Sequence, residues 1–482
     1  MNKFSKSLSA IVALTSMVFV GFSSIAFKEK PSVKETQPNI IIVNFDDLGY
    51  GDLDITGAIG YQTPNMDKMA KEGMFFSQLY SAQAVCSASR TGLLTGCYPN
   101  RIGISGALMP TSKIGISANE LTIAEMLRAK GYATAAFGKW HLGHLPEFLP
   151  LQHGFDVFFG IPYSHDMWPH HPTNKTEYPP LPLIEGNATV QTNPDLSMFT
   201  TWFTERSISF IEQNKNKPFF LYLAHPLPHV PLAVSNKFKG KSAQGMYGDV
   251  VMELDWSIGQ IRETLAKLHL IKNTLLIVTS DNGPWLNYGN HAGSTGGLRE
   301  GKGTSFEGGQ RVPCIMSWPG VIPAGTVNNQ MASEIDFLPT IAAITGAAVS
   351  SNKIDGVNIF PLLKGQMDTS PRKSFLYYYR ANSLEAIRYE NYKLVFPHPG
   401  RTYEGYLPGK DGMPGPNTEN FQFPAGLYDL RRDPGERYNL IDQLPEVVAQ
   451  LTKLANEARA DLGDDLTNNL GANRRAPGKS TK

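Results

Sequence analysis

The chain has 482 residues, a formal net charge of +1 and three cysteines. This length exceeds the usual limit of about 250–300 residues for one hydrophobic core, so we expect a large domain and a smaller one. The balanced charge, without long runs of one sign, argues against a nucleic-acid-binding protein with a broad basic surface. Three cysteines exclude a disulfide-dense scaffold, and their odd number leaves at least one thiol outside any intramolecular pair.

Residues 1–26 have the layout of a secretory signal peptide. Lys3 and Lys6 precede an apolar stretch at 8–22, and Ser24 and Ala26 form a small-x-small cleavage site. An uncleaved anchor is the alternative, because the apolar stretch is almost long enough to span a bilayer. Cleavage predicts an exported protein without stable membrane insertion. Bacterial export to the periplasm or medium is preferred over a lysosomal or secretory location in a eukaryote.

After a polar linker at residues 27–38, four apolar runs predict buried strands. They lie at 39–45, 133–137, 219–224 and 274–279. Continuous runs of this length are typical of a largely parallel sheet that is buried on both faces. The helical patterns between them lie at 64–73 after Thr63, 120–130 after Asn119, 200–214 and 249–268. This alternation predicts an α/β fold with helices on both faces of the sheet.

The pattern changes near residue 370. Short alternating runs predict antiparallel strands at 374–379, 384–389, 392–396 and 427–430. An amphipathic helix is predicted at 444–462. We therefore expect an α/β domain at 39–370 and a smaller C-terminal α+β domain at 371–464. The polar composition of residues 465–482 predicts a disordered tail.

Polar residues that can carry out chemistry follow each of the four predicted strands. They are Asp46 and Asp47, Lys139 and His141, His225 and His229, and Asp281 and Asn282. In α/β folds, ligands bind outside the carboxyl ends of the strands, so we expect the four clusters to converge on one site. Ordinary turn polarity is the alternative for any single cluster.

Cys86 begins the segment CSASRTGLLTG, which predicts a short helix that ends near Gly96. A cysteine at a helix N-terminus lies where backbone N–H groups favour negative charge. The alternative, a buried small hydrophobic residue, suits Cys314 better, because Cys314 lies in the apolar segment 312–318. Cys97 either pairs with Cys314 or stays free.

Cys86-Ser87-Ala88-Ser89-Arg90, followed by Leu-Leu-Thr-Gly at 93–96, resembles the signature of the formylglycine-dependent (type I) sulfatases. The similarity is greatest to the arylsulfatase A and N-acetylgalactosamine-6-sulfatase branch and covers residues 39 to about 440. Ala88 departs from the pattern, in which proline is commonest. Further matching segments are residues 39–51, 63–67, 138–143 (GKWHLG), 280–283, 300–309 (EGKGTSFEGG) and 426–433 (GLYDLRRD).

The resemblance implies an alkaline-phosphatase-like sandwich and hydrolysis of sulfate esters. It also implies that Cys86 is oxidised to formylglycine by a formylglycine-generating enzyme or an anaerobic sulfatase-maturating enzyme. One hydroxyl of the hydrated aldehyde would attack the sulfur, and the sulfate would leave as the aldehyde re-forms. Arg90 would orient and stabilise this group.

By the same resemblance, four more side chains have roles in the reaction. Lys139 and Lys302 would neutralise the sulfate oxygens. His141 would act as the base that assists recovery of the aldehyde, and His229 as the acid that protonates the leaving sugar oxygen. A solvated surface charge is the alternative for Lys302, although its position between two glycines suggests a fixed loop.

Asp46, Asp47, Asp281 and Asn282 supply the hard oxygen ligands that Ca²⁺ or Mg²⁺ requires. Neither HExxH nor paired CxxC motifs occur, so zinc is not expected. The resemblance implies one Ca²⁺ ion, with the modified Cys86 as a further ligand. Mg²⁺ is the alternative.

Residues 161–180, which are rich in proline, histidine and aromatic residues, are candidates for contacts with a sulfated saccharide, and residues 285–299 are a second candidate segment. A proline-stiffened surface loop is the alternative for the first. The candidate substrate-binding residues are His165, Trp168, His170, His171, His225, His291 and Arg299.

The sequence thus predicts an exported hydrolase of a sulfated carbohydrate. The resemblance to the arylsulfatase A and N-acetylgalactosamine-6-sulfatase branch implies, as the preferred substrate, a galactose or N-acetylgalactosamine sulfate in a glycosaminoglycan or in an algal or mucin-type galactan. One alternative is a phosphate or phosphonate monoester hydrolase of the same superfamily, because tetrahedral oxyanions present similar oxygens to lysine, arginine and a cation. The second alternative is a non-catalytic, calcium-dependent glycan-binding protein, which would require an unmodified Cys86.

Overall fold

The computed structural model describes residues 37–174 and 177–481. The predicted signal peptide and most of the linker lie outside the described residues. From Gln37 onward the chain forms one compact unit, so the domain boundary near residue 370 stays a prediction. Within the described part, no helix has both the length and the apolar character needed to cross a membrane.

The chain contributes strands to a large central sheet and to smaller sheets. In chain order the strands are β1 Asn39–Phe45, β2 Met74–Tyr80, β3 Ile114–Gly115, β4 Ala133–Lys139, β5 Val157–Ile161, β6 Pro182–Glu185, β7 Ala188–Thr192, β8 Phe219–Ala224, β9 Thr274–Ser280, β10 Arg311–Ser317, β11 Thr326–Asn328, β12 Ala332–Ser333, β13 Ser374–Tyr379, β14 Ser383–Tyr389, β15 Tyr392–Val395, β16 His398–Thr402, β17 Thr418–Phe423, β18 Gly426–Asp429 and β19 Gly478–Lys479. The α-helices are α1 Pro64–Lys71, α2 Cys86–Thr95, α3 Ile123–Ala129, α4 Phe199–Gln213, α5 Met246–Lys267, α6 Glu307–Gln310, α7 Phe337–Thr345, α8 Phe360–Leu363 and α9 Pro445–Leu462.

The central sheet has the order β11-β2-β10-β9-β1-β8-β4-β5-β6-β7, with β12 paired to β2. Strands β9, β1, β8, β4 and β5 run parallel, whereas β10, β6 and β7 pair with their neighbours in antiparallel fashion. The four strands predicted from apolar runs are therefore consecutive neighbours. Their register aligns Phe45 with Ser280 and Gly138 with Ala224, so their carboxyl ends are level. The mostly parallel sheet predicted from the sequence is confirmed.

Both faces of this sheet are covered, as the unbroken apolar strands require. Ile40 and Ile42 of β1 face one core, which also contains Leu127 of α3 and Ile341 of α7. The alternate residues of the same strand face the other core, which α4 and α5 complete. Because every residue of β1 is buried, neither face of the strand can carry polar side chains until the strand ends.

The C-terminal part contains the predicted antiparallel sheet, in the order β13-β14-β15-β18. Helix α9 packs against β14 and β15, and Leu451 and Ala455 join Phe375 in a third core. Tyr80 and Phe306, from the main part of the chain, lie in the same core. A separate hairpin is formed by β16 and β17.

Two details differ from the sequence-based expectations. Helix α3 begins after Thr122 rather than Asn119, because Thr122 and Glu125 form a reciprocal capping box. The segment predicted as a disordered tail, residues 465–481 of the described chain, is packed against the main part. Arg475 donates to Glu120 at 2.7 Å, and β19 pairs with β3. These partners are distant in sequence, so local composition could not indicate them.

Arg101 connects three distant segments through a fully buried guanidinium. It makes two hydrogen bonds to Asp355, of 2.6 and 2.7 Å, and one of 2.7 Å to Asp461 of α9. We expect Arg101→Met to lower the free energy of unfolding by about 3 kcal/mol, because it removes charge-assisted hydrogen bonds to two part-buried carboxylates and leaves Asp355 without its counter-charge. Urea denaturation followed by circular dichroism measures this loss.

The matched control is Arg128→Met, because Arg128 forms an exposed pair with Asp156. It should change the free energy of unfolding by less than about 1 kcal/mol. Equal effects of the two substitutions would contradict the structural role assigned to Arg101.

Candidate active site

Cys86 is the first residue of helix α2 and is only 2% exposed. The preceding Val85 is extended, and Gly96 ends the helix in the left-handed conformation, with φ of 69°. The short helix predicted from the sequence is therefore confirmed. As the first residue of this helix, Cys86 lies at the positive end of the helix dipole, which favours negative charge.

The acidic residues that follow β1 and β9 meet beside this helix. The Asp47 N–H donates to Asp281 Oδ1 at 3.2 Å, and Asn282 Nδ2 donates to Asp47 Oδ1 at 2.7 Å. All of these side chains are buried. Asp47 has a φ of 65°, a strained conformation for a residue other than glycine, which is typical of functional sites.

Each of the three carboxylates has its own cation. Lys139 Nζ lies 2.5 Å from Asp46 Oδ2, and Lys302 Nζ lies 2.8 Å from Asp47 Oδ1. A further pair joins Arg90 Nε to Asp281 Oδ2 at 2.8 Å. Buried charges are tolerated only when they are paired in this way.

These pairs govern the protonation of the site. Burial would raise the pKa of Asp46, but Lys139 and His229 lower it well below its ordinary value. Burial would lower the pKa of Lys302, but Asp47 raises it. The pKa of the Cys86 thiol is raised by burial, and the charges of Lys139 and Lys302 oppose this shift only in part. An unmodified Cys86 is therefore a thiol and a poor nucleophile at neutral pH.

Two histidines face this cluster, and a backbone carbonyl orients each ring. His141 Nε2 lies 2.9 Å from the carbonyl oxygen of Leu108 and therefore donates to it, which leaves Nδ1 as the acceptor. Burial and the charge of Lys139 lower the pKa of His141 well below its ordinary value, so the ring is neutral. In His229, Nδ1 donates to the Val230 carbonyl at 2.5 Å, and Nε2 lies 3.6 Å from Asp47 Oδ2.

Of the candidate substrate contacts, His165 lies beside the catalytic candidates. Its ring centre is 5.5 Å from that of His229, and its Nε2 donates to the Pro231 carbonyl at 3.2 Å. Trp168 and His170 contact each other edge to face at 4.7 Å, and His170 is exposed. His291 is half-buried near the segment around Gly412.

The other three candidates are engaged in structural contacts. His225 is fully buried, stacks on Phe45 and lies 3.1 Å from the Ser257 hydroxyl. His171 Nδ1 accepts backbone N–H groups within its own turn, from residues 173 and 174. The guanidinium of Arg299 lies over the Phe306 ring at 4.2 Å. These contacts occupy side chains that the sequence offered as saccharide ligands.

The structure adds three residues that the sequence analysis did not single out, although it included them in the candidate segments 161–180 and 285–299. Ser164 Oγ accepts a hydrogen bond from Lys139 Nζ at 3.0 Å. Burial opposes the ionisation of Asp166, but His229 and other neighbours lower its pKa to about 2. The Trp285 ring lies 4.7 Å from Lys302 Nζ. Ser164 and Asp166 follow β5, whose sequence, VFFGI, is a fifth apolar run and was a usable signal.

The three cysteines are all free and buried, so Cys97 and Cys314 are not paired. Cys314 lies in β10, between β9 and β2, whereas the Cys97 sulfur accepts a hydrogen bond from Arg475 Nη2 at 3.4 Å. Neither cysteine lies among the charged residues around position 86.

The donor atoms at this site fit a hard divalent cation. Asp46 Oδ1 and Asn282 Oδ1 are buried and, within residues 37–174 and 177–481, have no hydrogen-bond partner. Asp46, Asp47 and His229 each offer a ligand atom, and these atoms all lie within 4.8 Å of one another. Unpartnered carboxylate and amide oxygens are the donors that Ca²⁺ and Mg²⁺ prefer.

A buried N-terminal helix position surrounded by two lysines, an arginine and two histidines can hold a tetrahedral oxyanion and exchange protons with its ester oxygen. The fold and site therefore define a hydrolase of anionic esters. The chain matches the sulfatase family over residues 38–347 and the C-terminal region of aryl-sulfatase over residues 370–478. Residues 301–406 also match the C-terminal region of N-sulphoglucosamine sulphohydrolase. The protein belongs to the sulfatase family and is a sulfuric ester hydrolase.

Individual relatives are similar to this chain over most of its length. Arylsulfatase A of Bos taurus is 39% identical, with 86% of this chain and 85% of the relative covered. N-acetylgalactosamine-6-sulfatase of Mus musculus is 36% identical, with coverage of 88% and 86%. A Bacteroides thetaiotaomicron sulfatase structure, from work on the metabolism of multiple glycosaminoglycans, has a TM-score of 0.76 and 30% identity, with coverage of 88% and 99%.

Removal of the Lys139 charge, which pairs with Asp46, should reduce catalysis. We expect Lys139→Met to lower kcat/KM for 4-nitrophenyl sulfate by about 100-fold, because a preorganised charge at the reacting group is lost. The control Lys267→Met removes an exposed lysine that pairs with Glu263 on α5, and it should change the rate by less than about twofold. Comparable losses in both variants, measured in the same spectrophotometric assay, would contradict the assignment.

Proposed function

We propose that this protein is an exported enzyme that removes sulfate from a sulfated carbohydrate, with a nucleophile made from Cys86. The observation that carries the proposal is the position of Cys86 at the buried N-terminus of α2, among Lys139, Lys302 and Arg90. These residues bring positive charge to the place where a sulfate ester would meet position 86. Export rests on the predicted signal peptide.

Modification of Cys86 follows from its environment. The raised pKa of the thiol makes the unmodified residue a poor nucleophile, whereas a hydrated formylglycine at the same position supplies a hydroxyl without needing a thiolate. Because the folded chain buries Cys86, the maturating enzyme would act before folding is complete. That enzyme is either formylglycine-generating or an anaerobic sulfatase-maturating enzyme.

The surrounding side chains divide the work of the reaction. Lys139 and Lys302 hold the sulfate oxygens, and Arg90 donates toward the group at position 86. His229 would act as an imidazolium: Nδ1 donates to the Val230 carbonyl, and Nε2 carries the proton that is delivered to the leaving sugar oxygen.

His141 Nδ1, the unprotonated nitrogen of a neutral ring, accepts the proton when the aldehyde is recovered. A backbone carbonyl accepts a hydrogen bond from one nitrogen of each ring, so the orientations of both rings are set before the substrate binds. Each ring therefore presents one defined nitrogen to the site.

Ca²⁺ is the proposed cofactor, held by Asp46, Asp47, Asp281, Asn282 and the modified residue 86. When bound, it would polarise the sulfate and stabilise the charge that develops in the reaction. The two unpartnered oxygens, on Asp46 and Asn282, support this assignment. Ca²⁺ prefers oxygen donors, so His229 is left for proton transfer although it could approach an ion.

The substrate class is a galactose or N-acetylgalactosamine sulfate, as in glycosaminoglycans or in algal or mucin-type galactans. Support comes from the similarity to N-acetylgalactosamine-6-sulfatase and to the sulfatase from glycosaminoglycan metabolism. Trp168, His170 and His291 lie at partly exposed positions and remain candidates for saccharide contacts.

Parallel assays on matched aryl esters test the reaction type. The protein matured in its host should hydrolyse 4-nitrophenyl sulfate faster than 4-nitrophenyl phosphate, and Cys86→Ala should abolish sulfate release. Peptide mass spectrometry across residue 86 should show formylglycine in the active protein. A preference for phosphate would overturn the sulfatase proposal, and an intact Cys86 thiol in an active preparation would overturn the nucleophile.

Cation binding can be tested without activity. Addition of Ca²⁺ to the chelator-treated protein should stabilise it by about 2.7 kcal/mol at 100 times Kd, because only the folded chain assembles the ligands. The shift in thermal unfolding should be largely lost in Asn282→Leu and kept in Asn290→Leu, whose side chain is exposed and pairs with Asp411. A larger shift with Mg²⁺ than with Ca²⁺ would contradict the choice of ion.

A further inference from the structure

Residues from the C-terminal part of the chain lie directly against the catalytic segment. Tyr379, the last residue of β13, packs against Val85, Cys86 and Ala88. The Tyr403 hydroxyl donates to the carbonyl oxygen of Lys302 at 2.6 Å. The nucleophile position and the lysine proposed to bind sulfate therefore have C-terminal residues as immediate neighbours.

Arg401 of β16 also lies at the border between the C-terminal residues and the segment around Lys302. Its Nη1 donates to the carbonyl oxygen of Lys302 at 3.4 Å and to the Tyr403 hydroxyl at 3.2 Å. A Cβ at position 303 would lie 2.8 Å from that Nη1, and Gly303 has a φ of 78°, so only glycine allows this close approach. The guanidinium is thus fixed beside Lys302.

The charges on this border do not balance. Arg401 Nε donates to Glu419 Oε1 at 2.8 Å, and Arg380 lies 3.5 Å from the other oxygen of the same carboxylate. Two guanidiniums therefore share one acid. The side chains of Arg401 and Arg380 are 17% and 28% exposed, whereas that of Glu419 is 50% exposed and free to move into solvent.

Nearby titratable groups do not supply the missing negative charge. Burial raises the pKa of Glu385 to about 8, so this acid is largely neutral at pH 7. Burial lowers the pKa of His398 to about 4, so this ring is uncharged. Lys302 is paired with Asp47. Among Arg401, Arg380 and Glu419, one positive charge is therefore uncompensated.

We propose that Arg401, supported by Arg380, binds a second anionic group of the substrate while the scissile sulfate lies against Lys139 and Lys302. A guanidinium offers parallel donors that match a carboxylate or a sulfate, which a lysine cannot reproduce. Glu419 holds the arginine in place until the anion arrives. This specificity determinant rests on the proposed function, because it names the class of saccharide that the site accepts: one with an acidic substituent besides the sulfate that is removed.

Calorimetric binding to the Cys86→Ala protein tests the proposal on matched saccharides. N-acetylgalactosamine 4,6-disulfate should bind more tightly than N-acetylgalactosamine 6-sulfate. Arg401→Gln should reduce this ratio of affinities by at least about tenfold, because a charge-assisted bidentate contact is lost. Arg401→Lys should restore part of the ratio, and Glu419→Gln should increase it.

A second pair identifies the anion. A 6-sulfated disaccharide with a free uronate, compared with its uronate methyl ester, shows whether a carboxylate serves as well as a sulfate. Arg437→Gln is the control, because Arg437 is an exposed arginine of the same region that pairs with Glu404. It should leave both ratios unchanged.

Two results would overturn the proposal. The first is that, with Arg401 intact, the two saccharides of each pair bind with equal affinity. The second is that Arg401→Gln weakens the binding of both members of a pair by the same factor. The second result would indicate a purely structural role. Binding to Cys86→Ala does not depend on turnover. Failure of the active protein to hydrolyse sulfate esters would therefore count against the proposed function, while the affinity ratios would still decide the role of Arg401.

Discussion

Pairing of buried carboxylates with buried cations is the constraint on which the site depends. Asp46, Asp47 and Asp281 lie close together in a region without solvent, where unpaired charges would be very costly. Lys139 pairs with Asp46, Lys302 with Asp47, and Arg90 with Asp281. The same cations that make the acidic cluster tolerable are those that can meet sulfate oxygens. Stability and chemistry thus use one set of charges, and a cation bound by the acids would leave the lysines free for the substrate.

The sheet explains why this cluster forms where it does. Strands buried on both faces have no place for polar side chains along their length, so the polar residues follow the strands at their carboxyl ends. The level register of β1 and β9 places Asp46 opposite Asp281. Strained backbone at Asp47 and His141, both at positive φ, then turns their side chains within the site.

Residues of the C-terminal part also lie next to the charged cluster. Tyr379 and Arg401 approach the nucleophile position and Lys302 from a separate sheet and hairpin. The central sheet therefore positions the charged residues around position 86, while the hairpin of β16 and β17 carries Arg401, the proposed contact for a second anion. Sequence alone indicated β13, β14, β15 and β18, but neither the hairpin of β16 and β17 nor the position of Arg401 beside Lys302.

Strand and helix positions could be predicted because apolar runs and capping residues are local signals, and Cys86 with its neighbours carried a recognisable chemistry. The sequence by itself determined which residue types were available and where each strand would end. Only the tertiary structure decided the pairs: Lys139 with Asp46 across 93 residues, Arg90 with Asp281 across 191, and Lys302 with Asp47 across 255. In the folded chain, His225 and Arg299 make structural contacts, and Arg475 pairs the C-terminal tail with the main part of the chain. The physical reason is that sheet register and long-range burial, rather than local composition, set which distant side chains share a low-dielectric space.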